Sequence, residues 1–580
     1  MKKIEKHSRL APFDDLPLAR RVRSRPESMM RTAFSLILFF VAATSSASTL
    51  IYNVRGYTLE GDALVQFYAL EYDRNLVTAR YATEEAAKKS TAQSRVNGRG
   101  LVLLPGLIDA HGHVAALGVA LDSADLTGAQ SEEEAAERLR EIKVTSKKSW
   151  VFGGGWNQTL WDGGEFPNRN SLDRVIADQP VVLTRVDHHA LWVNSRALEV
   201  AGITNETPDP VGGVIVRDEH GVATGVLIDN AMNLVDAAAP KPTLLSKRRE
   251  ITRSARYLAS IGITAVHDAG ATAVELDAYE SLLSDGELPI RVYAMLRMAD
   301  PDMQRKFELG PWEDEERMYS ARSVKIYTDG ALGSRGAALL EEYSDDPGNR
   351  GYLLNEEADL AELMLNALNQ GYQLNVHAIG DRANTLVLDK FEALNQDSES
   401  RLRRHRIEHA QVLQLSDINR FRDLGIIASI QPTHATSDKN MAGDRLGEAR
   451  LEGAYLWKTL LEAGARLAGG SDFPVEPPNP FYGLHAAVTR EDRNGDPLGG
   501  WRPDERLSRK EALSLFTTDA AYAGHAEDFL GQLSPGYAAD FILVRDDYFE
   551  VPARNIWRNQ VEATVVAGRL VFKTETSPIQ

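Results

Sequence analysis

Between Gly106 and about Thr518, short β-rich runs alternate with longer helical ones. No other feature limits the fold so strongly, because such alternation means βα units around a parallel sheet. Eight strand candidates can be placed: Gly106–His113, Ile263–Asp268, Ile290–Leu296, Ser323–Asp329, Gln373–His377, Arg404–His409, Ile426–Gln431 and Arg466–Ser471. Helical stretches such as Glu356–Gln370 and Arg382–Asn395 separate most of them. Eight units predict a closed (β/α)8 barrel over residues 106–525, with any active site at the C-terminal strand ends. The 580 residues exceed what one barrel needs, since a domain takes roughly 150.

The excess has two places to go. Far more chain separates the first two strand candidates than one βα unit requires. That stretch, about 120–240, is rich in Gly and Trp, with a strand-like run Val181–Val186 and a Gly212-Gly213 turn, and it reads as an inserted subdomain or lid. Residues 48–105, interrupted by a helical patch at Thr83–Thr91, and residues 526–580 also read as β structure without supplying a barrel strand. The expectation is one small β-sandwich built from both chain ends.

Near the start, Ala33–Ala43 is apolar but short of the about 20 residues that a bilayer span takes. Arg31 precedes it and the small residues Ser45-Ser46-Ala47 follow, the pattern of a secretory signal peptide over residues 1–47. Export to the periplasm or medium is expected, with no stable membrane span in the mature form and with Met29 or Met30 as alternative starts. A buried or anchoring helix is the other reading.

Charge and cysteine content narrow the chemistry. Lys and Arg number 65 against 83 Asp and Glu, net −18, which argues against binding nucleic acid. With no Cys, there are no disulfides, thiolate nucleophiles, Cys zinc sites or Fe–S clusters. A metal would have to be held by His, Asp, Glu or a modified Lys, and there are only 13 His.

Asp109-Ala110-His111-Gly112-His113 ends the first strand candidate. Residues i and i+2 on a strand point the same way, so both imidazoles can reach one ion, with Gly112 leaving room between them. Alone, the pair could be two ordinary turn histidines. His377 and His409 end later strands, Asp472 follows another, and Lys325 lies inside a fourth. Packing does not account for so many polar groups at strand ends, where each unpaired one costs about 1–3 kcal/mol. Nitrogen and oxygen ligands without sulfur suit a zinc-type hydrolytic site with an open coordination position.

These segments resemble the amidohydrolase superfamily, in particular amidohydrolase family 3, the branch of N-substituted formamide deformylase-like proteins. Pro105–His113, Val324–Arg335, Asn375–Asp381, Arg406–His409 and Gly470–Pro474 carry the resemblance. So do Gly155–Trp161 and Leu183–Ala190 in the insert and Gly531–Phe541 in the tail. The resemblance implies a distorted barrel with a β-sandwich and one or two divalent ions, zinc first. In it, His111, His113 and Asp472 bind the more buried ion, His377 and His409 bind the second, and Lys325 bridges them as a carbamate. An unmodified Lys325 bonding the site or substrate is the alternative. Asp472 is the proton-transfer residue and His189 an oxyanion donor. The chain departs from the family near Tyr68–Arg80, which lacks a glycine-rich turn, and at His188, where Gly is common.

Arg335 and Asp381, just beyond metal-bearing strands, are candidate substrate contacts; a surface ion pair is the alternative. Trp156 and Trp161, with Trp192, either line a substrate cleft or pack the insert's own core. The predicted reaction is hydrolysis of a non-peptide C–N bond in a small molecule, with a homodimer as the assembly considered. A lactonase, esterase or deaminase on the same site is the second reading, and an exported binding protein on a dead barrel the third.

Overall fold

The alternation resolves into eight barrel strands: β1 (Leu107–Gly112), β2 (Ile263–Ala271), β3 (Arg291–Arg297), β4 (Tyr319–Tyr327), β5 (Gln373–Ala378), β6 (Arg406–His409), β7 (Ile427–Ile430) and β8 (Arg466–Gly469). They are seen in a computed structural model that describes residues 48–141, 150–158, 161–185, 190–210, 213–229, 231–394 and 402–579. The segment read as a signal peptide, and His188 and His189, lie outside the described residues. Each barrel strand runs parallel to the next in chain order. β1, β6 and β7 are buried at every position, as expected of strands covered on both faces. β4 begins earlier than the sequence suggests, because Trp312–Glu313 pairs antiparallel with its first half.

β8 and β1 close the ring without a regular ladder. The Asp472 N–H donates to the His111 carbonyl at 2.7 Å, and the His113 N–H donates to the Phe473 carbonyl at 2.8 Å. Below them the buried Asp109 carboxylate accepts from the Ser471 N–H at 3.1 Å and the Ser471 hydroxyl at 2.7 Å. Gly470 permits this approach, since a Cβ there would lie 2.5 Å from the His111 nitrogen. The space beside Gly112 is taken by Phe473, whose ring a Cβ would meet at 2.3 Å. The glycine therefore admits a seam residue and does not leave room for an ion.

The two chain ends join in one eight-stranded sheet. Val102–Pro105 pairs antiparallel with Phe541–Val544, Leu103 opposite Leu543. Ile51, Leu70, Leu103, Phe541 and Val565 share an apolar cluster there. A fork of hydrogen bonds ties this sheet to the barrel floor: buried Arg291, first residue of β3, donates to both oxygens of Asp540, at 2.7 and 3.1 Å.

The insert forms its own six-stranded sheet between Ala124 and Asp229. Trp156, Trp161 and Trp192 pack against one another at 6.2 Å between ring centroids. All three are buried in the insert core. The Trp156 indole N–H donates to the Leu183 carbonyl and that of Trp161 to the Ala129 carbonyl. Burial of one such side chain contributes on the order of 4–6 kcal/mol of transfer free energy. The expectation that Trp156 and Trp161 bind substrate is corrected: they are core residues, turned inward because only the sheet interior matches their area.

Candidate metal centre

The C-terminal ends of β1, β4, β5, β6 and β8 bring His111, His113, Lys325, His377, His409 and Asp472 around one cavity of about 340 Å³. Ring centroids lie 4.8 Å apart for His111 and His409, 4.6 Å for His377 and His409, and 5.6 Å for His111 and His113. The donor atoms of His111, His113 and Asp472 all fall within 4.8 Å of one another.

Hydrogen bonds fix which nitrogen each imidazole presents. His111 Nδ1 lies 2.5 Å from the Glu408 carboxylate, and an acceptor there keeps the proton on Nδ1. Its Nε2 is left facing the cavity, 3.4 Å from Asp472 Oδ1 and from Lys325 Nζ. The His409 Nδ1 donates to Gln431 Oε1 at 2.8 Å, while the Gln431 amide donates to the Ser429 carbonyl. Both rings are deeply buried. Burial holds His111 below the ordinary imidazole range, helped by Lys325, and holds His409 well below it, helped by His377. Neutral imidazoles with one free lone pair are the form a metal needs.

The carboxylates go the other way. Burial raises Glu408, but Arg406 and His111 outweigh it and keep it well below the usual range. Burial likewise opposes ionisation of Asp472, and the imidazoles around it, His113 Nε2 nearest, hold it well below the usual range. Asp472 Oδ1 lies 3.0 Å from His113 Nε2. Asp109, closed off under the seam, is raised to about 7, burial outweighing its three hydrogen bonds. Burial lowers the Lys325 amine to about 8 against the pull of Glu408 and Asp472. Its Nζ also sits 5.1 Å from the Tyr327 ring centroid, a partner for an unmodified amine.

The donor set fits a divalent cation on one further observation. His377 Nε2 and His434 Nε2 are buried without a hydrogen-bond partner. His377 Nε2 comes no nearer than 3.4 Å to Asp329, whose oxygens are occupied by the Ala338, Ile379 and Gly380 N–H groups. Orphaned nitrogens facing a cavity suit a Lewis acid. His409 and Asp472 also hold left-handed backbones, φ 79° and 60°, a local strain that marks functional positions.

Two expected substrate contacts are corrected. The Arg335 guanidinium pairs with Asp345 at 2.9 Å, a third exposed, while the preceding Ala331–Gly333 line the cavity. Buried Asp381 starts the helix Asp381–Leu394 and accepts from the Leu340 and Arg382 N–H groups and from Gln414. Among the described residues, none from the insert lines the cavity. Three residues that the sequence left without a role belong to the site: Glu408, Gln431 and His434. His434 was recoverable, since it follows β7 as His409 ends β6; Glu408 and Gln431 act through buried contacts that no spacing reveals.

A sequence model of the amidohydrolase family matches residues 96–572. Protein LONG AFTER FAR-RED 3 of Arabidopsis thaliana is 36% identical over 495 residues, 82% of this chain and 83% of that protein. N-substituted formamide deformylase of Arthrobacter pascens is 28% identical over 495 residues, 82% of this chain and 89% of that protein. Among solved structures, an uncharacterized metal-dependent hydrolase from Pyrococcus horikoshii OT3 matches at a TM-score of 0.75 and 29% identity, over 87% of this chain and 99% of that one.

Proposed function

Because the chain belongs to the amidohydrolase family, we propose that it is a metal-dependent hydrolase that adds water across a non-peptide C–N bond of a formamide, an N-acyl amine or a cyclic amide. The observation that carries this reading is the convergence of His111, His113, His377, His409 and Asp472 on one cavity at the strand ends. The formamide substrate named for the Arthrobacter pascens relative supports the choice of bond.

A divalent ion held by these residues, zinc by their nitrogen and oxygen chemistry, supplies the Lewis acidity that ionises water near neutral pH and polarises a carbonyl. Asp472, held ionised among the cavity imidazoles, accepts the proton of the attacking water. The same carboxyl then gives that proton to the leaving nitrogen as the C–N bond breaks, so the water is divided between acid and amine. Glu408 holds His111 in the tautomer whose Nε2 faces the cavity. An amine lowered to about 8 leaves Lys325 partly neutral under ordinary conditions. It could then add CO2 with loss of one proton, which would replace a cation in the cavity by an anionic two-oxygen donor for a divalent ion. His189 keeps its sequence-based role as oxyanion donor, and the segment before Ser48 its role as an export signal.

The test is metal analysis of the purified protein followed by a panel of N-formyl amines, N-acyl amines and cyclic amides beside lactones and esters. Amide turnover lost on chelation and regained with zinc is expected. Turnover of lactones or esters alone would replace the C–N reading, and protein without any divalent ion or hydrolysis would retire both.

A further inference from the structure

His434 belongs to none of the motifs, yet the fold brings it to the cavity. The helix Pro432–Asp438 begins directly after β7, with proline in its first turn, and aims His434 at the strand ends. Its ring stacks on His409 at 6.0 Å between centroids and 13° between planes. Its Nε2 is buried and without a hydrogen-bond partner, a deficit of about 1–3 kcal/mol for a polar nitrogen. The nearest carboxylate atom is Asp472 Oδ2, at 3.7 Å.

Asp472 thus divides its two oxygens. Oδ1 faces His113 Nε2 at 3.0 Å and His111 Nε2 at 3.4 Å, and Oδ2 faces His434. Two donor triads result, His111–His113–Asp472 and His409–His434–Asp472, each with all ligand atoms within 4.8 Å of one another. Ligand atoms bound about 2.0–2.2 Å from one tetrahedral ion lie about 3.3–3.6 Å apart, close to the contacts Asp472 already makes.

We infer that His434 is a metal ligand, forming with His409 and Asp472 Oδ2 a second cation site beside the one of His111, His113 and Asp472 Oδ1. The Asp472 carboxylate is then a bridge between the two. Each of its oxygens has two lone pairs, so one on each remains for the proton transferred in hydrolysis. The inference rests on the metal-dependent reading above but places the second ion with His434, which the family resemblance does not.

The full chain is stripped with a chelator, loaded with Zn²⁺ in bicarbonate buffer, desalted and analysed for metal. Affinity is then read by competition with a chromophoric chelator. Wild type is expected to hold two ions per chain. His434→Ala is expected to keep one tight ion and to bind the second at least about tenfold more weakly, since even indirect supports of a ligand are worth 10–100-fold. His434→Phe keeps the stacking on His409 and should behave alike, which separates lost ligation from lost packing; circular dichroism checks both folds. Two ions at wild-type affinity in either folded variant would overturn the inference, as would a wild type that saturates at one ion. A wild type that binds no ion would instead remove the metal-dependent reading itself.

Discussion

The insert core and the barrel mouth are both built from side chains this chain uses sparingly, 8 Trp and 13 His in all, and they end in opposite states. In the insert, Trp156 and Trp161 pack against each other and edge-on against Trp192, and give their indole N–H groups to carbonyls of the insert itself. At the mouth, His111 and His409 each satisfy one nitrogen through Glu408 and Gln431 and turn the other toward a cavity, while His377 and His434 leave Nε2 unpartnered. Clustering alone therefore does not make a site. What separates the two regions is whether polar capacity is consumed inside the cluster or left facing space a ligand can enter.

Substitution at each cluster should separate activity from stability. Asp472→Asn keeps the shape but cannot take a proton, and kcat should fall about 10²–10⁴-fold with the thermal midpoint little changed. If excess zinc restored the rate of Asp472→Asn, its role would reduce to ligation. Trp156→Ala should do the reverse, costing about 3–5 kcal/mol in denaturant unfolding while molecules that remain folded keep their kcat. Lost turnover without lost stability would return Trp156 to the substrate path.

Glu408→Gln should weaken zinc binding by about 10–100-fold in chelator competition, because it removes the charge that orients His111. Unchanged affinity would mean that the His111 tautomer is set elsewhere. Acid sharpens the contrast, because the tryptophan cluster holds no titratable group. Buried His405, at the foot of β6, accepts the Leu374 N–H and is pushed down by burial to about 3 from its ordinary 6.5. The unfolded chain binds the extra proton between those values. Stability should be full above pH 6.5 and fall as pH drops toward 3, by up to about 1.4 kcal/mol per unit from this group. Flat stability across that window would contradict a neutral His405. The smallest effect is expected at Arg335→Ala, where an exposed pair with Asp345 is worth about 0–1 kcal/mol and kcat and KM should not move.

Strand-end histidines and the eight barrel strands were readable because each follows from a local pattern: an apolar run of strand length, then a polar residue at its C-terminal end. The seam was not, since Asp109 belongs to the first barrel strand of the chain and Ser471 to the end of the last, and they meet only when the ring closes. The fates of Trp156 and Trp161 hinged in the same way on the Leu183 and Ala129 carbonyls respectively, which their Gly-rich surroundings do not announce. Asp381 read as a pocket residue because it follows the His377 motif, but the helix it starts needs its carboxylate for backbone N–H groups. His434 carries no motif of its own: it lies in the short helix Pro432–Asp438, and only the fold brings it beside His409.

The shared sheet of the chain ends has a bearing on synthesis. Val102–Pro105 leaves the ribosome early but pairs with Phe541–Val544, among the last strands made. At about 5–20 residues per second, its edge waits tens of seconds for that partner. Over that interval Leu103 and Leu104 lie on an open strand edge, a template for pairing with other nascent chains. A chain halted before Phe541 leaves that edge uncovered for good and Arg291 without Asp540, so a C-terminal nonsense lesion should yield aggregate and not a trimmed enzyme.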